Sequence, residues 1–318
     1  MKIKPVVIGV ATALISIVPF AETAFGVEGG LGRPISGASI NPYAGLVPPA
    51  PGFSASIGEE YYTGTISGAT TVPIANFLTL GIDMKASFTP ISIVYIWNTS
   101  GKEWNFASAV AFPITWVECK AAISLGPLSG VVKDTNSGLF DLAFTPIVAS
   151  YHISQTDHVA FSFSFWAPTG EYSTSRLANL SNNTWTFISG IAYTKIFPKA
   201  DIEVSGAWAF TFDTENPATH FQNGVLSDLE ATAIKSFKFG GGLGVIGSWI
   251  EQLNNDSGAT ADKLHGFRGR AFGVGPIITY STKVGKSHLD FNARYVHEFD
   301  NRKRVEGDLY AISASFKF

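Results

Sequence analysis

From residue 53 onward, apolar and polar side chains alternate with a period of two in run after run. In 201–213, one parity holds Ile202, Val204, Gly206, Trp208, Phe210 and Phe212. The other holds Asp201, Glu203, Ser205, Ala207, Ala209, Thr211 and Asp213. Successive strand residues point to opposite faces, so this pattern predicts a strand with one apolar face and one polar or small face. Val159-Phe161-Phe163-Phe165 alternate with Ala160-Ser162-Ser164 in the same way, as do Leu289-Phe291-Ala293-Tyr295 with Asp290-Asn292-Arg294. At the end of the chain Tyr310, Ile312, Ala314, Phe316 and Phe318 share the apolar parity, leaving Ser313, Ser315 and Lys317 on the other.

Such runs fall near 53–67, 82–98, 102–118, 138–154, 157–168, 184–198, 200–214, 229–239, 242–252, 265–282, 286–299 and 304–318, about twelve strands in all. Short breaks at 99–101, 155–156, 198–199, 240–241 and 282–285 alternate with longer polar ones at 68–81, 119–137, 169–183, 215–228 and 253–264. Short periplasmic turns and long outer loops give this rhythm in bacterial outer-membrane barrels, which have an even strand count. The expected fold is therefore all-β: a transmembrane antiparallel outer-membrane β-barrel of about twelve strands, spanning 53–318.

Composition narrows the class further. Only 15% of the 318 residues are charged, against about 25% in ordinary soluble domains. Beyond the first segment no apolar run approaches the roughly 20 residues of a spanning helix. Mild hydrophobicity without such a run is what alternation between lipid and lumen produces. Lys2 and Lys4, the apolar stretch Pro5 to Phe20 and the small-residue site Ala24-Phe25-Gly26 read as a signal peptide over 1–26. Residues 27–52, rich in Gly and Pro, have no period and read as an irregular segment that either hangs in the periplasm or plugs the lumen. Six of the seven tryptophans (97, 104, 116, 166, 185 and 249) lie near strand ends, as an interfacial girdle requires. The single Cys119 excludes an internal disulfide, and a net charge of −3 with scattered Lys and Arg excludes nucleic acid as a partner.

Several constellations carry candidate chemistry. Asp201, Glu203, Asp290, Arg294, Glu298 and Lys317 fall on the inner parity and are the expected lumen charges. Arg294 is expected to brace the wall by pairing with Asp290 or Glu298. Pro90, Pro113 and Pro146 recur in three successive strands near mid-membrane depth. Proline cannot donate to the ladder, so the three read either as bulges that set curvature or as a patch that opens sideways to lipid. Gly242-Leu243-Gly244-Val245-Ile246-Gly247 matches a dinucleotide fingerprint, but a strand rather than a helix follows it. His152 and Ser154 share a face without an orienting partner, and the other histidines lack metal-ligand spacing. No catalytic, cofactor or metal site is expected. Phe316 and Phe318 form the terminal signal read by the barrel insertion machinery.

The start Glu28-Gly29-Gly30 to Pro48-Pro49-Ala50-Pro51-Gly52, with the ending His297-Glu298-Phe299, Asn301-Arg302 and Glu306-Gly307-Asp308, resembles the outer-membrane family named for the meta-pathway of phenol degradation. The resemblance implies a Gram-negative barrel associated with uptake of aromatic or other apolar compounds. It is similar in role to long-chain fatty-acid and toluene channels. Two functions follow as expectations: a passive channel for small, mostly apolar molecules with lateral exit to lipid, or a plugged structural or adhesive barrel acting through its outer loops. Outer-membrane lipid, lipopolysaccharide and a small apolar ligand are the expected partners.

Overall fold

A computed structural model describes residues 34–317 apart from 76, 100–102, 126–127 and 286, and omits the side chains of 67–69 and 123–129. The expected signal peptide over 1–26, the Glu28-Gly29-Gly30 start and Phe318 lie outside the described residues. The strands are β1 (Gly52–Ile74), β2 (Phe77–Ile96), β3 (Trp104–Leu125), β4 (Leu128–Leu139), β5 (Leu142–His152), β6 (Asp157–Ala167) and β7 (Thr186–Phe197). They continue with β8 (Ile202–Asp213), β9 (Leu226–Ser236), β10 (Gly241–Gln252), β11 (Arg270–Val284), β12 (Ser287–Arg302) and β13 (Glu306–Lys317). One short helix, α1 (Ala259–Lys263), stands between β10 and β11.

Every neighbouring pair is antiparallel, and β13 returns to β1 through Glu60↔Ala311 and Tyr61↔Tyr310. The β3 strand pairs with β5 over its first half and with β4 over its second. Because only Phe140 and Asp141 separate β4 from β5, the two count as one interrupted wall strand, and the barrel closes with twelve. Around the ring that closes through β13–β1 and β2–β3–β5 the backbone is satisfied between strands, as a spanning sheet in lipid requires, while β4, among the described residues, pairs on its β3 side alone.

The alternation sorts as the sequence predicts. Trp208, Phe212, Ile278, Phe291, Tyr310 and Ile312 are exposed on the outer face, whereas Glu203, Ser205, Thr211, Arg294 and Ser315 are buried inside. Two expected outer loops are corrected. Most of 68–81 and 119–137 is strand, in the hairpins β1–β2 and β3–β4. In the β3–β4 hairpin the neighbours Val131 and Val132 are both exposed, so both faces of its β4 arm meet water and the apolar period is lost; Lys120 pairs with Lys133 there, and Lys133 reaches Glu118 at 2.8 Å. The β1–β2 hairpin instead keeps one dry face, with Val72 and Ile74 buried in the core. Trp166 departs from the girdle. It is 2% exposed and packs edge-on against Phe140 inside the barrel, centroids 5.9 Å apart.

Candidate functional site

The inside of the barrel is occupied. Residues 34–48 run through it, and most of them are buried. The wall supplies both donors and acceptors to this backbone. Glu230 on β9 accepts from the N–H groups of Gly37 (2.6 Å) and Ile40 (2.5 Å). The Arg294 guanidinium on β12 donates to the carbonyls of Gly37 (2.9 Å) and Ile40 (2.7 Å) and to Asn41 Oδ1 (3.0 Å). Gly37 has φ +76, and a Cβ there would lie 2.5 Å from Val296 Cγ2, so the turn fits this seat only as glycine. Further along, Tyr43 N–H donates to Glu203 Oε1 (2.9 Å) and Gly45 N–H to Thr194 Oγ1 (2.9 Å). A Cβ on Gly45 would come within 2.6 Å of the His158 carbonyl. At the short-turn end Lys317 Nζ donates to the Ala50 carbonyl at 2.8 Å.

The predicted lumen residues thus meet different fates. Glu203, Arg294 and Lys317 hold the threaded segment. Arg294, expected to brace its own strand, instead reaches across to residues 37–41. Glu298 accepts from the Tyr62 hydroxyl at 2.6 Å, and Asp290 accepts from Ser281 Oγ. Asp201 is a correction. It sits in the β7–β8 turn with φ 50, and its exposed side chain pairs with Lys235 at 3.2 Å; the turn ends the strand before parity can aim it inward. Glu230 and Arg304 were missed, although the inward parity Asp228, Glu230 and Thr232 on β9 marks the first of them.

The prolines do not form one patch. Pro90 and Pro113 face each other across β2–β3, and Pro113 accepts through its carbonyl from Phe140 N–H at the β4–β5 break. The β3–β5 register instead sets Pro146 beside Ser108, whose hydroxyl donates to the Pro146 carbonyl at 2.6 Å. That is five residues from Pro113 along β3, or roughly 16 Å of strand. Both ladders flanking Pro146 shift register there, so it forms a bulge.

The opposite side of the lumen is built from small residues. A cavity of about 100 Å³ lies between Ile40, Asn41 and Ala44 of the segment and the inner faces of β3 and β5–β8. Its wall includes Ala109, Ala111, Ala160, Ser162, Gly190, Ala207 and Ala209, and it reaches Thr145 at the bulge. A second cavity of about 50 Å³ lies near the short-turn end, with Glu203 and Asp290 in a wall that also includes Ile234 and Phe291.

Loops close the far mouth. Asp134 accepts from Arg176 (2.9 Å) and from the N–H groups of Leu177 (3.1 Å) and Ala178 (3.0 Å). Leu177 and Leu180 thereby join Ile35, Ile40 and Phe267 in one core. On the other side Asp256 accepts from Gly224 N–H (2.7 Å) and Gln252 Nε2 (2.6 Å), and burial pushes its carboxyl up to about 7. Ser154 Oγ bonds Asp157 (2.7 Å) while His152 Nδ1 faces His158 Nδ1 (2.8 Å), so this histidine and serine do not form a catalytic pair. Among the described residues no three His, Cys, Asp or Glu side chains gather as metal ligands.

A closed twelve-stranded barrel with an apolar outer belt, threaded by its own N-terminal segment, defines an outer-membrane protein of the bacterial envelope. The chain belongs to the family described as "Putative MetA-pathway of phenol degradation", whose model matches residues 63–314. No curated protein matches it in sequence. Among solved structures it is similar to the COG4313 outer membrane channel from Pseudomonas putida F1, with a TM-score of 0.71 at 13% identity over 88% of this chain and 100% of that one. The translocator domain of the autotransporter NalP from Neisseria meningitidis aligns with a TM-score of 0.46 at 10% identity, over 84% of this chain and 88% of that one. A Pseudomonas aeruginosa FadL homologue aligns with a TM-score of 0.43 at 9% identity, over 84% and 89%.

Proposed function

We propose that the protein is a passive outer-membrane channel for small, mostly apolar molecules, aromatic rings among them. The observation that carries this reading is the cavity of about 100 Å³ walled by Ala, Ser and Gly beside the threaded segment. An apolar cavity of about 150 Å³ holds benzene, so a modest shift of residues 40–44 admits one ring. Mildly polar small walls suit weak binding and rapid transit. We place the lateral exit at the Pro146 bulge, because the cavity lining reaches its neighbour Thr145. Membrane lipid, lipopolysaccharide and the insertion machinery are the partners this reading implies.

The test compares entry of a labelled apolar aromatic and a small hydrophilic sugar into cells with and without the protein. Faster entry of the aromatic alone is expected; equal entry of both solutes with and without the protein would refute the channel. Pro146→Val, which restores the ladder donor, should slow the aromatic and leave barrel folding intact.

A second reading, a plugged structural or adhesive barrel acting through its loops, is favoured by the burial of residues 34–48 on charged anchors. Deleting residues 28–50 separates the two. A channel becomes leakier, whereas a loop-driven surface protein keeps its function.

A further inference from the structure

The second cavity, the one with two carboxylates in its wall, plays no part in the apolar route. It lies on the other side of the threaded segment, under Tyr43, and holds about 50 Å³, room for one ion with a water. Its wall brings together Glu203 from β8 and Asp290 from β12, with Thr279 and Ser281 from β11, Asn292 from β12 and Tyr43. None of the residues lining it is basic. Glu203 is 2% exposed. Its Oε1 takes the Tyr43 N–H and the Ser205 hydroxyl, whereas its buried Oε2 has no hydrogen-bond partner. A carboxylate oxygen removed from water and left unpaired is costly. An ion in the adjoining space removes that cost.

From this juxtaposition we propose a binding site for one calcium ion between Glu203 and Asp290. Two carboxylates balance a divalent charge, and the remaining donors are neutral oxygens. An all-oxygen set suits a hard cation, and calcium accepts the irregular six- to eightfold geometry that a wall of strand side chains presents. Magnesium demands a near-ideal octahedron and retains several waters, for which the cavity is small. The bound ion ties β8 to β12 directly beneath Tyr43, fixing the point where the segment leaves the lumen.

The test uses the full chain in detergent micelles free of lipopolysaccharide, near neutral pH. Terbium, a calcium substitute excited through a nearby tyrosine, should give saturable luminescence that calcium displaces, and calcium should raise the unfolding temperature. Glu203→Gln should weaken terbium binding at least tenfold, on the order expected when one charged ligand of an oxygen site is lost. In chelator, Glu203→Gln should be more stable than the unaltered protein, because a neutral amide replaces the unpaired carboxylate; in calcium the order should reverse. Asp290→Asn gives the same loss of terbium binding if Glu203→Gln does not fold. Luminescence unchanged in both variants, or a stability that responds to pH and not to calcium, would overturn the site.

Discussion

The two sides of the lumen solve opposite problems with the same strand geometry. The side formed by β8–β13 and β1 buries Glu230, Arg294, Glu298, Arg304 and Tyr62 and uses several of them to satisfy the backbone of the threaded segment. The side formed by β3 and β5–β8 presents Ala, Ser and Gly, and leaves a cavity. Charge is tolerated inside only where partners are fixed in place, so the first side holds the segment in one position. Small side chains make no directional demand, so the second side permits something else to occupy the space. The segment is therefore anchored on one side and yielding on the other.

The largest expected effect comes from breaking the anchored side. Arg294→Ala strips donors from the carbonyls of Gly37 and Ile40 and leaves Glu230 without its neighbouring cation. Removing one partner of a buried charged network costs about 3–5 kcal/mol. Urea unfolding in micelles should show that loss, and planar-bilayer recording should show increased conductance as the segment is released. A variant that is destabilised but no leakier would mean that Arg294 supports the wall and not the segment.

The mouths above the two sides differ as well. Over the small-residue side the Asp134–Arg176 contact clamps the 168–185 loop. Over the charged side the loops meet at Asp256, whose carboxyl burial raises from 3.8 to about 7. An acid whose folded value lies above its unfolded value keeps more protons in the folded state between the two. Stability there falls as pH rises from about 4 to 7, and is constant above. The span corresponds to roughly 2–4 kcal/mol of local stability. Protection factors in 221–225 and 253–269, which remove the intrinsic base-catalysed rise of exchange with pH, should therefore be higher at pH 5 than at pH 8, and Asp256→Asn should abolish the difference. Equal protection factors at both pH values would place the carboxyl in its ordinary range.

How far these features were legible in the sequence follows from where periodicity survives. Strands in the lipid belt have one dry face, and parity alone placed Glu203, Arg294, Ala207 and Ile312 correctly. The β4 arm of the β3–β4 hairpin is wet on both faces at Val131 and Val132, so it read as loop. Parity also failed at Asp201, where the turn had begun, and at Trp166, whose strand-end position resembled a girdle site although its ring turns inward against Phe140. The aperiodic 34–48 segment carries no local sign of its seat. Its partners Glu230 and Arg294 are distant in sequence, and only closure of the barrel brings them to Gly37 and Ile40.

The smallest effect on stability should carry the most information about the yielding side. Ala207 lines the cavity from β8, opposite Ile40, Asn41 and Ala44, and makes none of the hydrogen bonds that hold the segment. Ala207→Leu would fill much of the space while leaving every anchor in place. Overpacking a closed interior costs about 1–3 kcal/mol, and a cavity already open should hold the cost to the lower end. Conductance should stay low, because Glu230 and Arg294 still grip residues 37–41. Entry of the labelled aromatic should drop toward the level of cells lacking the protein, with sugar entry unchanged. Loss of aromatic entry without any gain in conductance would separate passage from anchoring. Undiminished entry would show that the cavity is a packing gap and that apolar solutes travel elsewhere.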